Sequence, residues 1–91
     1  LAAYRIVQEG LTNAAKHGDG SVALATAWAD DGLTITIENG TAGDVDATGA
    51  GLGLVGMRER AAVNGGRLTV DAGGDRFVVE AWLPVDGEVA S

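Results

Sequence analysis

Fifteen glycines stand against a single proline in this chain, and the glycines are clustered. Glycine admits φ > 0 and lets the backbone approach a neighbour or a ligand closely, at an entropic cost inside regular elements. So many in one short chain must act as stops, turns and close-approach points. The clusters at 18–20, 49–53, 65–66 and 73–74 divide the chain into runs with different periodicities. Those runs are too rich in Val, Leu and Ile for a disordered segment.

Residues 1–17 have helical spacing, with Tyr4, Val7, Leu11, Ala14 and Ala15 expected toward a core. Residues 18–20 stop this helix. Residues 22–29 alternate, with Val22, Leu24, Thr26 and Trp28 on one face and alanines on the other. Asp30-Asp31-Gly32 is a hairpin turn. Leu33, Ile35 and Ile37 then alternate with Thr34, Thr36 and Glu38 as a second strand. Residues 39–50 read as a loop. Residues 52–64 read as a helix with Leu52, Val55, Ala62 and Val63 near one face. Residues 67–71 and 77–83 read as strands joined at Gly73-Gly74, and Pro84 ends the last. Two hairpins with helices between them imply an α/β two-layer sandwich. Its mixed, mostly antiparallel sheet is covered on one face by helices.

Ninety-one residues make one domain. Residues 1–85 are expected to form it, with 86–91 a frayed tail. Sixteen alanines thin the apolar fraction, so each larger side chain counts. The net charge of −7 offers no basic stripe for a phosphate backbone, which excludes nucleic acid as a partner. Without cysteine and with one histidine, thiolate and His-rich metal sites are excluded too. No apolar run approaches the roughly 18 residues of a membrane span, so no direct membrane contact is expected. A start at Leu1 without a signal-peptide pattern reads as a piece of a longer protein.

Three constellations carry chemistry. Glu9, Asn13 and His17 follow one another at i, i+4 and i+8, with Lys16 at the edge of the stripe. This stripe is expected opposite Val7, Leu11 and Ala14. A carboxylate, an amide oxygen and an imidazole in line can hold a cation or polarise water; an ordinary solvated helix face has the same appearance. Gly49-Ala50-Gly51-Leu52-Gly53-Leu54 precedes a helix, where unpaired N–H groups and the helix dipole favour an anion. A hinge is the alternative. No strand leads directly into it and Gly-Lys-Ser/Thr is missing, so it is neither a dinucleotide fingerprint nor a Walker loop. Glu38-Asn39-Gly40 closes the second strand. A carboxylate there can accept a hydrogen bond from an exocyclic amine while Gly40 admits a ring; a plain strand end is the other reading.

Residues 4–17, Tyr-Arg-Ile-Val-Gln-Glu-Gly-Leu-Thr-Asn-Ala-Ala-Lys-His, resemble the N box of bacterial sensor histidine kinases. Residues 51–61, Gly-Leu-Gly-Leu-Val-Gly-Met-Arg-Glu-Arg-Ala, resemble the second glycine box of the nitrate, degradative-enzyme and desaturase-sensor subfamily. Order and spacing match, Gly65-Gly66-Arg67-Leu68 fits as well, and the likeness covers nearly the whole chain.

The resemblance implies the Bergerat-type ATP-binding fold shared with Hsp90-type chaperones, gyrases and MutL proteins. It implies ATP and Mg²⁺ as cofactors. Asn13 would hold the Mg²⁺ through its amide oxygen, and Glu9 would be the catalytic carboxylate near metal and nucleophile. Lys16 and His17 would stand near the phosphates. Glu38 would read the adenine amine, followed by Gly40. Gly51 and Gly53 would cradle phosphates, with Leu54 behind them. Arg58 would lie at the phosphate end or at the interface with the phosphoacceptor helix. The implied partners are a dimerisation and phosphoacceptor helical domain of the same protein, absent here, and a response regulator. The implied place is the cytoplasmic side of a membrane-associated kinase.

Three departures from the family pattern lie on the adenine side. Glu38 stands for the usual Asp, one residue too many separates it from Gly43, and Gly74 is followed by Asp75-Arg76 in place of Gly-Thr. They imply a weakened or altered nucleotide site. Two other classes share the evidence: a degenerate docking module, and a serine kinase of the anti-sigma-factor type, against which Gly56-Met57-Arg58-Glu59-Arg60 argues.

Overall fold

A computed structural model of the chain describes residues 2–41 and 54–84, with His17 described by its backbone. The elements are α1 (Ala2–His17), β1 (Gly18–Trp28), β2 (Gly32–Thr41), α2 (Leu54–Val63), β3 (Arg67–Gly73) and β4 (Arg76–Pro84). The strands form one sheet in the order β1-β2-β4-β3. Every neighbouring pair is antiparallel. Among the described residues the sheet is wholly antiparallel, one of the two forms, antiparallel or mixed, that the hairpins imply. The reason is topological: the chain crosses by way of α2 to the far edge and returns, so β4 and not β3 lies beside β2.

Local chemistry sets the turns. Ala29 and Gly32 exchange backbone hydrogen bonds around Asp30-Asp31. Gly74 has φ +60° at the first central position of the β3–β4 turn, as a type II′ hairpin requires. At the end of α2, Gly65 has φ +81°. Its N–H donates to the Ala62 carbonyl and the Gly66 N–H to the Ala61 carbonyl, the two bonds of a Schellman cap.

Both helices lie on one face of the sheet. Ile6 of α1, Leu33, Ile35 and Ile37 of β2, and Leu54, Met57 and Ala61 of α2 form the core with Leu68, Phe77, Val79, Ala81 and Leu83. This face agrees with the β2 and β4 alternation in the sequence. Two expected faces do not. In α1 the buried stripe is Ile6, Gly10, Asn13 and Ala14, while Tyr4, Leu11 and Ala15 are exposed. Gly10 explains the rotation, because a Cβ there would collide with Cδ1 of Ile37. Only glycine lets α1 settle onto β2, despite a helix-propensity cost of about 1 kcal/mol relative to alanine.

In α2 the buried stripe is Leu54, Met57 and Ala61, and Val55, Ala62 and Val63 face out. Leu54 and Met57 carry more apolar volume inward than the valine stripe would. Leu52 lies outside the described residues. On β1, Val22, Leu24, Thr26 and Trp28 pair with Asn39, Ile37, Ile35 and Leu33, so they do lie on the helix side. They stay exposed, Trp28 at 71%, because β1 is an edge strand beyond the reach of the two helices.

Candidate functional site

Water and hydrogen-bonding rules make buried polar groups more informative than buried apolar ones. Among the described residues three polar side chains are buried: Asn13, Asn39 and Thr41. All three gather at one end of the molecule. Gly18, the junction of α1 and β1, pairs with Thr41. A Cβ on Gly18 would lie 2.5 Å from the Ala14 carbonyl oxygen, 2.9 Å from Asn39 Nδ2 and 3.0 Å from the Gly40 carbonyl oxygen. The last turn of α1 is thus pressed against the end of β2, and glycine makes that approach possible. Thr41 is tied in turn to the β3–β4 hairpin, where its N–H donates to the Asp75 carbonyl at 2.7 Å.

β2 continues as a strand through residues 39–41, which the sequence reads as loop. Its parity therefore reaches the site. Ile35, Ile37, Asn39 and Thr41 alternate inward, and Thr34, Thr36, Glu38 and Gly40 alternate outward. Asn39 lies between Val22 and Phe77 on the helix side. Its Nδ2 donates to the Gly40 carbonyl at 3.1 Å.

Glu38 lies on the other face. There it forms an ion pair with Arg76. The space over Gly40 is filled by Asp19 and Ser21, within 2.5–2.8 Å of a Cβ placed on it. A bulge in β1 between Gly18 and Val22, with Gly20 at φ +101°, brings those two side chains across. The Gly40 N–H donates to Ser21 Oγ at 3.2 Å, and Ser21 Oγ–H donates to Asp19 Oδ1 at 2.6 Å. That hydroxyl, with the Ser21 N–H, holds the Asp19 carboxyl below its ordinary value near 3.8. A cleft of about 380 Å³ beside this knot is lined by Glu38, Gly40, Asp75 and Arg76 among others.

The structure thus separates residues that the sequence groups together. Asn13 is buried between the layers beside Ala14, not opposite it as the stripe reading expects. Glu9, one turn earlier, is half-buried, and Lys16 and Arg58 are exposed. Leu54 is fully buried in the core. Gly51 and Gly53, and the side chain of His17, lie outside the described residues. So do residues 86–91. Asn39 and Thr41 are the buried polar residues that sequence reasoning missed. The signal was present: counted from Asn39 instead of Glu38, the extra residue before Gly43 disappears. Among the described residues no group of three or more His, Cys, Asp or Glu side chains could hold a metal. No described helix is long and apolar enough to cross a membrane.

The four-stranded antiparallel sheet lies under two helices, with a polar end between the layers. The chain belongs to the family of histidine kinase-, DNA gyrase B- and HSP90-like ATPases, matched over residues 1–87. It is 45% identical over 73 residues to the sensor histidine kinase YxjM of Bacillus subtilis, covering 76% of this chain and 17% of that protein. It is 39% identical over 69 residues to the signal transduction histidine-protein kinase/phosphatase UhpB of Salmonella typhimurium, covering 74% and 14%. It is 35% identical over 79 residues to the Bacillus subtilis sensor histidine kinase LnrJ, covering 85% and 20%. Its fold is that of the Acinetobacter baumannii histidine kinase AdeS, with TM-score 0.69 at 15% identity over 91% of this chain and 47% of that one. The chain spans a fifth or less of the length of these three sequence relatives.

Proposed function

We propose that this domain, residues 1–85, binds ATP with Mg²⁺ between its layers and serves the autophosphorylation of a sensor histidine kinase. The observation that supports this is the gathering of Asn13, Asn39 and Thr41, buried, at one end of the interlayer space in a chain of this family. ATP supplies the γ-phosphoryl group, which passes to a histidine nitrogen on a separate helical dimerisation domain as the bond to ADP breaks. A response regulator aspartate then receives it. Catalysis of this kind is mostly positioning and charge neutralisation.

The residues present suit Mg²⁺ held largely by phosphate and water. Asn13 carries a neutral amide oxygen, a hard ligand of the kind Mg²⁺ takes. Glu9, one helical turn before Asn13, would be the carboxylate that takes up a proton from the nucleophile. Lys16 and His17 belong to the last turn of α1, and their place in the N box assigns them to phosphate oxygens. Gly51 and Gly53 precede the start of α2, and the helix dipole there favours an anion. Arg58 is exposed on α2, and its role would lie at the phosphate end or against the phosphoacceptor helix. The domain would act on the cytoplasmic side of a membrane-associated kinase.

Calorimetric titration of ATP tests this reading. Saturable binding is expected, weakened at least tenfold by omitting Mg²⁺ or by Asn13→Ala. The isolated domain is expected to take no label from γ-labelled ATP, because its one histidine sits in the N box. Absence of binding at millimolar ATP would overturn the first expectation, and label abolished by His17→Ala the second.

A further inference from the structure

Among the described residues one buried side-chain nitrogen has no hydrogen-bond partner: Nη1 of Arg60. A guanidinium keeps its charge at every ordinary pH, and its nitrogens only donate. Enclosing such a donor without an acceptor is costly, because water is gone and nothing has replaced it. The nitrogen lies over Gly56, where a Cβ would stand 3.5 Å from it. Beside it is a groove of about 270 Å³ lined by Gly56, Glu59, Arg60, Val63 and Asn64. Val63 is 85% exposed there. Glu59 is exposed, and adjacent residues on a helix do not face each other. Asn64 Nδ2 donates to the Arg60 carbonyl at 2.8 Å, which leaves the guanidinium untouched. The groove therefore suits a short segment that carries a carboxylate and an aliphatic side chain.

The chain itself leads such a segment to the groove. β4 ends at Pro84, whose Cγ is 3.4 Å from a Cβ placed on Gly65, the residue after Asn64. Residues 85–91 read Val-Asp-Gly-Glu-Val-Ala-Ser. Gly56 lies about 12 Å back along α2 from Asn64. Two extended residues after Pro84 span about 7 Å, and four span about 13 Å. Glu88 thus reaches the guanidinium over Gly56, and Asp86 does not.

We propose that residues 85–88 turn back along α2, laying Val85 on Val63 and seating the Glu88 carboxylate on Arg60. The carboxylate supplies the acceptor that Nη1 lacks, in a charge-assisted hydrogen bond. The loop closed is short, so closing it costs little chain entropy. The clip ties the end of β4 to α2 and sets the direction in which the chain leaves the domain. It stands independently of the nucleotide-binding reading.

A double-mutant cycle on residues 1–91, by chemical denaturation at low salt, tests the clip through Arg60→Gln, Glu88→Gln and both together. Glu88→Gln should raise the unfolding equilibrium constant about threefold or more beside Arg60, and by less than about 1.5-fold in the Arg60→Gln background. The coupling should shrink in high salt. Ending the chain at Pro84 should reproduce the Glu88→Gln loss with the core intact, so the test survives an Arg60→Gln variant that fails to fold. Equal effects of Glu88→Gln in both backgrounds would overturn the clip. So would a coupling of Arg60 to Asp86→Asn in place of Glu88→Gln, or a chain ending at Pro84 as stable as the whole.

Discussion

Glu38 and Asn39 are neighbours in the chain, yet they belong to different surfaces. Asn39 is buried beside the last turn of α1, next to Ile37 and Phe77 in the inward row. Glu38 is partly exposed on the open face, in an ion pair with Arg76. The difference comes from the period of two along a strand, where a shift of one residue exchanges faces. It teaches that in this sheet position matters more than residue type. Residue type draws attention to the carboxylate, and parity puts it on the face opposite Asn39.

The two rows of β2 should differ most in stability. Ile37→Ala empties a position 1% exposed under α1 and should cost about 2–5 kcal/mol in chemical denaturation. Thr36→Ala, one residue away and facing outward, should stay within about 0.5–1 kcal/mol. Equal losses would break the two-face account. Gly10→Val, which forces a branched side chain into Ile37, should cost about 1–3 kcal/mol by overpacking.

Smaller effects sharpen the outward face. Arg76→Ala breaks a pair whose side chains are 64% and 29% exposed, so it should change stability by no more than about 1 kcal/mol. Its effect should shrink further in high salt. The smallest effect belongs to Asp19. Its carboxyl is held below its ordinary value by Ser21, so the folded state binds its proton less readily than the unfolded one. That contribution is present above about pH 3.8 and is lost as the pH falls through the depressed folded value. Asp19→Asn should flatten the acid limb of a stability–pH curve, and an unchanged limb would remove the knot from the account.

Much of this was legible in the sequence. The element order, the two hairpins and the Gly65-Gly66 stop follow from glycine placement and alternation, and the structure has them. What was not legible is mainly rotation and parity. Periodicity alone gives α1 an apolar stripe through Tyr4 and Leu11. The sheet instead takes the side with Gly10, because close approach to Ile37 outweighs bulk. Periodicity likewise gives β1 an inward row, and the row is on the helix side, but sequence does not say that β1 is an edge. The loop reading of residues 39–50 discarded three strand residues, 39–41, and with them the alternation that assigns Asn39. The N box singles out Asn13 by its resemblance to the family. Its burial was hidden because an asparagine in a helix reads as a surface residue.

Our central proposal is that the nucleotide binds on the helix side of β2, at the buried polar end that includes Asn39. The most direct measurement is the ATP affinity of Glu38→Gln beside that of Asn39→Ala, by calorimetry with Mg²⁺, each variant checked for folding by thermal melting. The account predicts that Glu38→Gln stays within about twofold of the unsubstituted domain and that Asn39→Ala falls at least tenfold, about 1.4 kcal/mol or more. A tenfold loss at Glu38 with Asn39→Ala unaffected would contradict it.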